Sequence, residues 1–209
     1  RITKAGDDAA GLAVSEKMRA QIRGMEQAER NVQDGISMVQ TAEGALEEAG
    51  NIAQRMRELG IQAGNDTLSD EDRSKVKAEL TQLQDEMSKI ATETKFNGKE
   101  LLNKVGTFTI QAGANSETRK IATADLSSIA NGLSTISVSS STDAQSFITK
   151  VDAALKSIND ARSDLGAMQN RLEYTANNLT TSTENLTAAE SRIRDVDVAK
   201  ERVTLSKLN

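Results

Sequence analysis

The stretch VDAALKSINDARSDLGAMQNRLEYTANNLTTSTENLTAAESRI, residues 151–193, carries an aliphatic residue at every seventh position. These positions are Val151, Ile158, Leu165, Leu172, Leu179, Leu186 and Ile193. A period of seven is typical of a helix that presents one long apolar seam to partner helices. It predicts a single helix over about residues 143–200, roughly 87 Å long at the helical rise per residue.

The first part of the chain repeats the same period. Its seam residues are Met18, Met25, Val32, Val39 and Leu46. They predict a helix over about residues 7–63, of which the part from Asp7 to about Leu59 is roughly 80 Å long. Because the two helices are nearly equal in length, we expect them to lie side by side.

Four glycines lie inside the predicted first helix: Gly24, Gly35, Gly44 and Gly50. Each costs about 1 kcal/mol of helix stability relative to alanine. We interpret them as points of close backbone approach, and a loosened exposed face is the alternative.

The residues between these helices predict a shorter helix and a small β region. Ser69 and Asp72 form a capping box that opens a helix over about 70–93, whose apolar residues are Val76, Leu80, Leu83, Met87 and Ile90. Asn97-Gly98 is a turn signal. Within residues 105–142, VGTFTIQAG and TRKIATADL alternate as a hairpin would across GANSE, and NGLSTISVSSSTD indicates a loop or edge strand. Thr142 and Gln145 form a second capping box for the last helix.

The expected fold is therefore mainly α. It is an elongated bundle of long antiparallel, coiled-coil-like helices, two of them N-terminal and one long and C-terminal, with a small β-hairpin region. Residues 1–104 and 143–209 form the helical core domain. Residues 105–142 form a short hairpin and loop region within the same domain, the only segment with a β-like pattern.

Composition excludes several classes of function. The 209 residues contain no histidine and no cysteine, which removes disulfides and most zinc and di-iron sites, and we expect no catalytic residue, cofactor or metal. A net charge of −5 with interleaved basic and acidic residues argues against nucleic-acid binding. No window is apolar enough to span a membrane. Only 2% of the residues are aromatic, so the core must be aliphatic.

The charges near the end of the chain flank the predicted seam of Leu186, Ala189, Ile193 and Val196. They are Arg192, Arg194, Asp195 and Asp197. We interpret them as interhelical and i,i+4 pairs on a solvated face. A cation site is disfavoured, because a helix directs Asp195 and Asp197 about 200° apart.

Six motifs, in order and at compatible spacing, resemble bacterial flagellin. They are KAGDDAAGLAVSEKMRAQIRG (4–24), NVQDGISMVQTAEGALEE (31–48), RMRELGIQAGN (55–65), TKFNGKELL (94–102), LGAMQNRLEYTANNL (165–179) and NLTAAESRIRDVDVAKE (185–201). The last eight residues, RVTLSKLN, depart from the family pattern.

The resemblance implies a secreted, extracellular structural subunit of the bacterial flagellum that self-assembles into the helical filament used for motility. Its partners would be other flagellin subunits, with export and assembly chaperones for the full-length protein. KAGDDAAGLA, residues 4–13, would belong to the subunit contact. Family members continue at both ends into segments that line the filament channel, so we expect this fragment alone to be monomeric.

The resemblance also implies innate immune recognition by Toll-like receptor 5 of vertebrate hosts. The matching receptor-binding positions are Arg55, Leu59 and Glu79. Arg55 and Leu59 are i,i+4 neighbours, which predicts an exposed Arg-Leu pair beside a buried Met56.

An alternative from another class is a coiled-coil signalling rod, such as a chemoreceptor cytoplasmic hairpin. That class predicts two helices of uniform heptads that meet at one tip. The β-like stretch VGTFTIQAG interrupts such a pattern and disfavours the alternative.

Overall fold

The computed structural model describes the backbone of residues 2–208 and the side chains of residues 9–206. Its elements, in chain order, are α1 (Ile2–Ala63), α2 (Asp70–Glu93), β1 (Lys95–Phe96), β2 (Lys99–Glu100), β3 (Thr107–Gln111), β4 (Thr118–Ala122), α3 (Leu126–Gly132) and α4 (Ser141–Leu208). The prediction of a mainly α fold with long first and last helices is confirmed. Both long helices extend a few residues beyond their predicted bounds.

Tertiary contacts group the described residues into two compact units. Unit 1 comprises the described residues up to Gly35, Thr109–Arg119 and those from Arg171 onward. Unit 2 comprises Ile36–Phe108 and Lys120–Asn170. Each unit therefore contains a segment of α1, a segment of α4 and part of the β3 and β4 strands. The predicted boundaries at residues 104 and 142 stay a prediction.

Unit 2 has an aliphatic core. Its most deeply buried large side chains are Leu46, Met56, Leu59, Leu80, Met87, Leu101, Leu102, Ile121, Leu126, Leu133 and Ile158. Phe147 is buried with them. The short α3 packs on α2, where Gln84 Nε2 donates a hydrogen bond to the carbonyl of Ala130 at 2.9 Å. The aliphatic core expected from the scarcity of aromatic residues is thus present.

The predicted seam residues differ in burial along the two long helices. Those that expose 7% or less of their surface are Val32, Val39, Leu46, Val151, Ile158, Leu165, Leu172 and Leu179. Met18, Met25, Leu186 and Ile193 are only half-buried. All four of these belong to unit 1, so part of the seam in that unit is less well covered.

The buried face of α4 moves away from the predicted seam toward the end of the helix. Val196, which the heptad pattern places in the seam, is 52% exposed, so that prediction is wrong. Ala176 and Glu190, each one residue after a position of the second heptad row, are buried instead. A straight α-helix drifts by about 20° per heptad, and over several heptads the buried face passes to later residues.

A tight hairpin follows α2. Strands β1 and β2 pair antiparallel, with Phe96 opposite Lys99. The two residues between them, Asn97 and Gly98, have φ of 52° and 76°, the left-handed conformation that a two-residue hairpin turn requires. The turn predicted at Asn97-Gly98 is confirmed. The prediction that β structure is confined to residues 105–142 is wrong, because strands of two residues are too short to produce an alternating pattern.

The predicted hairpin of β3 and β4 forms a second two-stranded sheet. Its connecting loop is ordered by Glu117, whose carboxylate accepts a hydrogen bond from the Asn115 backbone N–H at 3.0 Å. The hydrogen bond from its own backbone N–H lowers the pKa of Glu117 most, followed by this bond from Asn115. Within unit 1 the hairpin also contacts α1, where Asn31 Nδ2 donates to the carbonyl of Gln111 at 3.2 Å.

Between β4 and α4 one helix was missed and one predicted cap is wrong. Helix α3 was not predicted, although Asp125 immediately before it is an N-cap whose carboxylate accepts from the Ser128 N–H at 3.0 Å. Of the two predictions for NGLSTISVSSSTD, a loop or an edge strand, the loop is confirmed for the part between α3 and α4, and its two ends belong to those helices. The cap of α4 is Ser140 and not Thr142, since Ser140 Oγ accepts from the Asp143 N–H at 3.1 Å. The helix begins earlier than predicted, so Thr142 and Gln145 lie inside it.

The close-approach interpretation of the glycines can be tested with one substitution and its control. A Cβ at Gly24 would lie 3.0 Å from Ala114 Cβ and 3.3 Å from Ala114 Cα in the hairpin loop, whereas a Cβ at Gly44 meets nothing within 4 Å. We expect Gly44→Ala to stabilise the chain by about 1 kcal/mol, the difference in helix propensity. Gly24→Ala should lose that gain to overpacking, which costs about 1–3 kcal/mol. Urea unfolding of the two variants checks the difference, and equal stabilisation by both would contradict it.

Candidate interaction site on α1 and α2

Arg55 links α1 to α2 in unit 2. Its Nε and Nη2 donate to Oε1 of Glu79 at 3.2 and 3.1 Å, and its Nη1 donates to Oε2 of Glu58 at 3.2 Å. The chain reverses between the two helices in the short connection that ends at the Ser69–Asp72 capping box, which is confirmed by its two reciprocal hydrogen bonds. Two of the three residues assigned by resemblance, Arg55 and Glu79, are therefore in direct contact.

The Arg55 cluster is a solvent-facing group of charges. The side chains of Arg55, Glu58 and Glu79 are 49%, 68% and 45% exposed. Hydrogen bonds to Glu58 and then to Glu79 raise the pKa of Arg55, so its guanidinium stays charged. Exposed ion pairs of this kind add little to stability, so a partner that binds these groups would cost the fold little. Glu58 was not assigned from the sequence, although its i,i+3 spacing from Arg55 could have indicated it.

Leu59 lies beneath this surface rather than on it. It is 2% exposed, so the prediction of an exposed Arg-Leu pair is wrong, whereas Met56 is fully buried as predicted. The α2 helix and its preceding connection cover Leu59. Together they form a shallow cavity of about 310 Å³ whose lining includes Leu59, Leu68, Val76 and Glu79. Leu59 therefore belongs to the buried layer under the Arg55 cluster and not to its exposed surface.

A second polar cluster, in unit 1, was not predicted. Glu190 is 4% exposed, and its Oε1 accepts hydrogen bonds from Ser15 Oγ at 2.8 Å and Arg19 Nε at 3.0 Å. Arg194 lies 3.9 Å from the same oxygen, an i,i+4 pair of the predicted kind. Heptad reasoning placed only apolar residues in this part of the seam. A signal was available in the helical drift, which brings position 190 to the buried face.

The other predicted flanking charges occupy the margins of α4. Arg192 and Asp195 are exposed. Asp197 is half-buried, and its carboxylate lies 2.6 Å from the position of a Cβ added at Gly11 of α1. No group of three or more acidic residues within the described side chains could hold a metal ion. Across the described helices, none combines the length and apolar character needed to cross a membrane.

Comparisons with known proteins match both ends of the chain to one family. The family profile of the bacterial flagellin N-terminal helical region matches residues 1–107, and that of the bacterial flagellin C-terminal helical region matches residues 148–209. The first match contains α1, α2 and the β1–β2 hairpin, and the second contains most of α4. Together they include every residue of the Arg55 and Glu190 clusters.

Individual relatives cover the whole chain. Flagellin of Halalkalibacterium halodurans is 52% identical over 213 residues, which span all of this chain and 78% of that protein. The flagellar filament core protein flaB2 of Brachyspira hyodysenteriae is 45% identical over 224 residues, 99% of this chain and 79% of that protein. The crystal structure of Bacillus cereus flagellin superposes with a TM-score of 0.64 at 34% identity, over 77% of this chain and 94% of that one.

These matches favour one class of function over the others considered. They exclude the alternative of a chemoreceptor-like signalling rod, and they agree with the resemblance carried by the six sequence motifs. The chain belongs to the bacterial flagellin family, and it is a structural subunit of the flagellar filament, not an enzyme.

Proposed function

We propose that this subunit is secreted and assembles outside the cell with other flagellin subunits into an open helical tube. A contact between two different surfaces of identical chains does not close on itself, so it generates a filament. Chaperones for export and assembly would bind the full-length protein before this step. Family membership is the observation that carries the proposal, and the relatives named for flagellar filaments support it.

Exposed apolar residues of unit 1 support a subunit contact on α1. Leu12 and Val14 are 61% and 48% exposed. Leu12 belongs to the KAGDDAAGLA segment, of which the side chains of residues 4–8 lie outside the described part. Val196 and Val198 of α4, in the same unit, are also exposed. Leu12 and Val198 line the same cavity, and apolar side chains that cluster on the surface, unlike isolated ones, mark contacts with a partner.

Leu12→Asp tests the subunit contact. Because Leu12 is exposed, the substitution should leave the helical content of the isolated chain unchanged. Loss of one buried leucine contact costs about 1.5–3 kcal/mol, so we expect the filament mass sheared from cells that carry only this variant to fall about tenfold or more. Val105→Asp, at a 75% exposed position of unit 2, is the matched control and should leave filament mass unchanged. Wild-type filament yield from Leu12→Asp cells would reject the contact.

We propose in addition that Toll-like receptor 5 recognises this chain through the Arg55 cluster. Arg55 and Glu79 are exposed, charged and fixed relative to one another by two hydrogen bonds. A preorganised arginine loses less conformational freedom when a partner binds it, and arginine is enriched among the residues that dominate binding energy. Leu59 lines the adjoining cavity. Its buried side chain keeps α1 and α2 at the separation that the contact between Arg55 and Glu79 requires.

The receptor proposal predicts different effects for two neighbouring arginines. Arg55→Ala should weaken binding to the receptor ectodomain by about 30-fold, the size of a typical hot-spot loss. Arg57→Ala is the matched control, because Arg57 lies two residues on in the same helix and also forms an exposed ion pair, to Asp152 at 2.7 Å. We expect it to change the affinity by less than about threefold. Surface plasmon resonance measures both, and equal affinities for wild type and Arg55→Ala would rule the site out.

A further inference from the structure

Glu190 is unusual among the ionisable groups of this chain. Within residues 9–206 it is the one charged residue in the buried class. It belongs to α4 and lies in unit 1, where neither the proposed receptor site nor the proposed contact at Leu12 uses it. A buried carboxylate is costly unless it is paired and hydrogen-bonded, so its partners determine what it does.

The partners of Glu190 come from both long helices. From α1, Ser15 Oγ and Arg19 Nε donate to the same carboxylate oxygen at 2.8 and 3.0 Å. From α4, Arg194 Nη1 lies 3.9 Å from it. Oε1 of Glu16 lies 3.8 Å from Nη1 of Arg19, so Glu16 is a second carboxylate that can pair with this guanidinium. One carboxylate oxygen thus connects α1 to α4 within unit 1.

Two cavities of unit 1 have charged groups in their linings, and the smaller one includes three residues of this junction. One cavity of about 330 Å³ is lined by Ala9, Leu12, Ser15, Arg19, Arg194, Asp197, Val198 and Glu201. A larger cavity, of about 560 Å³, reaches Ala189 and brings Glu117 and Arg119 of the hairpin region to its lining. The smaller cavity therefore gives water access to the partners of Glu190.

Apolar packing around the junction is thin. Val14, one residue before Ser15, is 48% exposed, and Val196, six residues after Glu190, is 52% exposed. Leu186 and Ile193 are only half-buried. The polar contacts of Glu190 therefore account for a larger share of helix association here than they would in unit 2, where the core is aliphatic.

We propose that Glu190 is an acid-sensitive latch, whose ionised carboxylate holds α1 to α4 in unit 1 and whose protonation opens that junction while unit 2 stays folded. When the carboxylate takes up a proton, Arg19 and Arg194 lose their shared counter-charge. The neutral carboxyl no longer attracts these two guanidinium groups, whose side chains are 39% and 49% exposed. Both can turn toward water through the adjoining cavity, which lets the helices separate.

The direction of the pH dependence follows from the pKa of Glu190. The hydrogen bond from Ser15 lowers this pKa most, followed by the bond from Arg19 and the charges of Arg194 and Arg19, while burial opposes them. A carboxyl whose pKa is lower in the folded state stabilises the fold at neutral pH. That contribution is lost as the pH falls through the folded-state pKa. The latch is therefore closed at neutral pH and opens below the ordinary range of a glutamate.

Hydrogen exchange read by mass spectrometry tests the latch on the whole chain, with labelling times corrected for the intrinsic effect of pH. In wild type we expect peptides of residues 9–25 and 185–200 to lose protection at a pH where peptides of unit 2 keep theirs. Ser15→Ala removes the largest cause of the lowered pKa, so it should move the midpoint of this opening to higher pH. Glu190→Gln should lower protection of these peptides already at neutral pH and abolish the acid transition.

Glu117→Gln is the matched control. Glu117 lies in the same unit and also has a lowered pKa, but it serves the hairpin loop and is exposed. Its variant should keep the wild-type midpoint. The latch is overturned if Glu190→Gln retains the wild-type acid transition, if Ser15→Ala leaves the midpoint in place, or if both units lose protection at the same pH in wild type.

Discussion

Leu46→Ala is expected to lower the free energy of unfolding by about 2–5 kcal/mol. Leu46 is fully buried in α1, within the aliphatic core of unit 2. Truncation removes the transfer free energy of three carbons and leaves a cavity, because a close-packed core relaxes only partly around the missing atoms. Urea unfolding followed by circular dichroism measures the loss.

Ile61→Ala serves as the control for this substitution. Ile61 lies in the same helix and the same unit but is 53% exposed. Both substitutions introduce alanine into a helix, so the gain in helix propensity is similar, and the difference between them isolates burial. We expect Ile61→Ala to change stability by less than about 1 kcal/mol. Equal losses from the two variants would mean that Leu46 is not in the core.

Leu172→Glu is expected to destabilise unit 1 by at least about 3–5 kcal/mol, the cost of an uncompensated buried charge. Leu172 is fully buried in α4 and belongs to the heptad seam. A glutamate at this position would place its carboxylate where an apolar side chain is now fully buried. Burial should raise the pKa of the introduced glutamate, so the Leu172→Glu variant should regain stability as the pH falls.

This pH dependence is opposite in sign to that of the native Glu190. Tyr174→Glu is the control, since Tyr174 lies two residues on in the same helix and is 76% exposed. We expect the free energy of unfolding of that variant to lie within about 0.5 kcal/mol of the wild-type value. Thermal unfolding of both variants at neutral and mildly acidic pH separates the cases. A Leu172→Glu chain as stable as the control would contradict a packed seam at this position.

Hydrophobic periodicity was sufficient to predict the three longer helices. Heptads from Met18 to Leu46 and from Val151 to Ile193 predicted α1 and α4, because a helix that packs along its length must repeat its apolar residues at the helical period. Local capping chemistry predicted the start of α2 at Ser69, and the preference of Asn97 and Gly98 for positive φ predicted the turn between β1 and β2.

The errors in predicting helices and caps arose at positions where the local structure departs from the regular heptad period. Helix α3 has seven residues, too few to show a period, and only its Asp125 cap indicated it. Val196 was placed in the seam by a strict period of seven, whereas an α-helix turns every 3.6 residues or so and its buried face drifts. Ser140 preceded the predicted Thr142 cap in a run of similar residues, and sequence alone could not choose between them.

The interaction sites depended on contacts between helices that pattern does not reveal. Resemblance identified Arg55 and Glu79, but their mutual hydrogen bonds and the participation of Glu58 became visible only when α2 was placed beside α1. The same pairing buried Leu59, against prediction. Glu190 was missed because a charged residue at a seam margin is usually solvated, and only the presence of Ser15 and Arg19 opposite makes its burial favourable.

The central claim, that this chain is a subunit of the flagellar filament, is tested most directly by the composition of filaments sheared from the bacterium that produces it. Peptide mass spectrometry of the purified filaments should find peptides of this sequence, from α1 and from α4, as a major component of the filament. Filaments that contain other flagellins but none of these peptides would contradict the assignment.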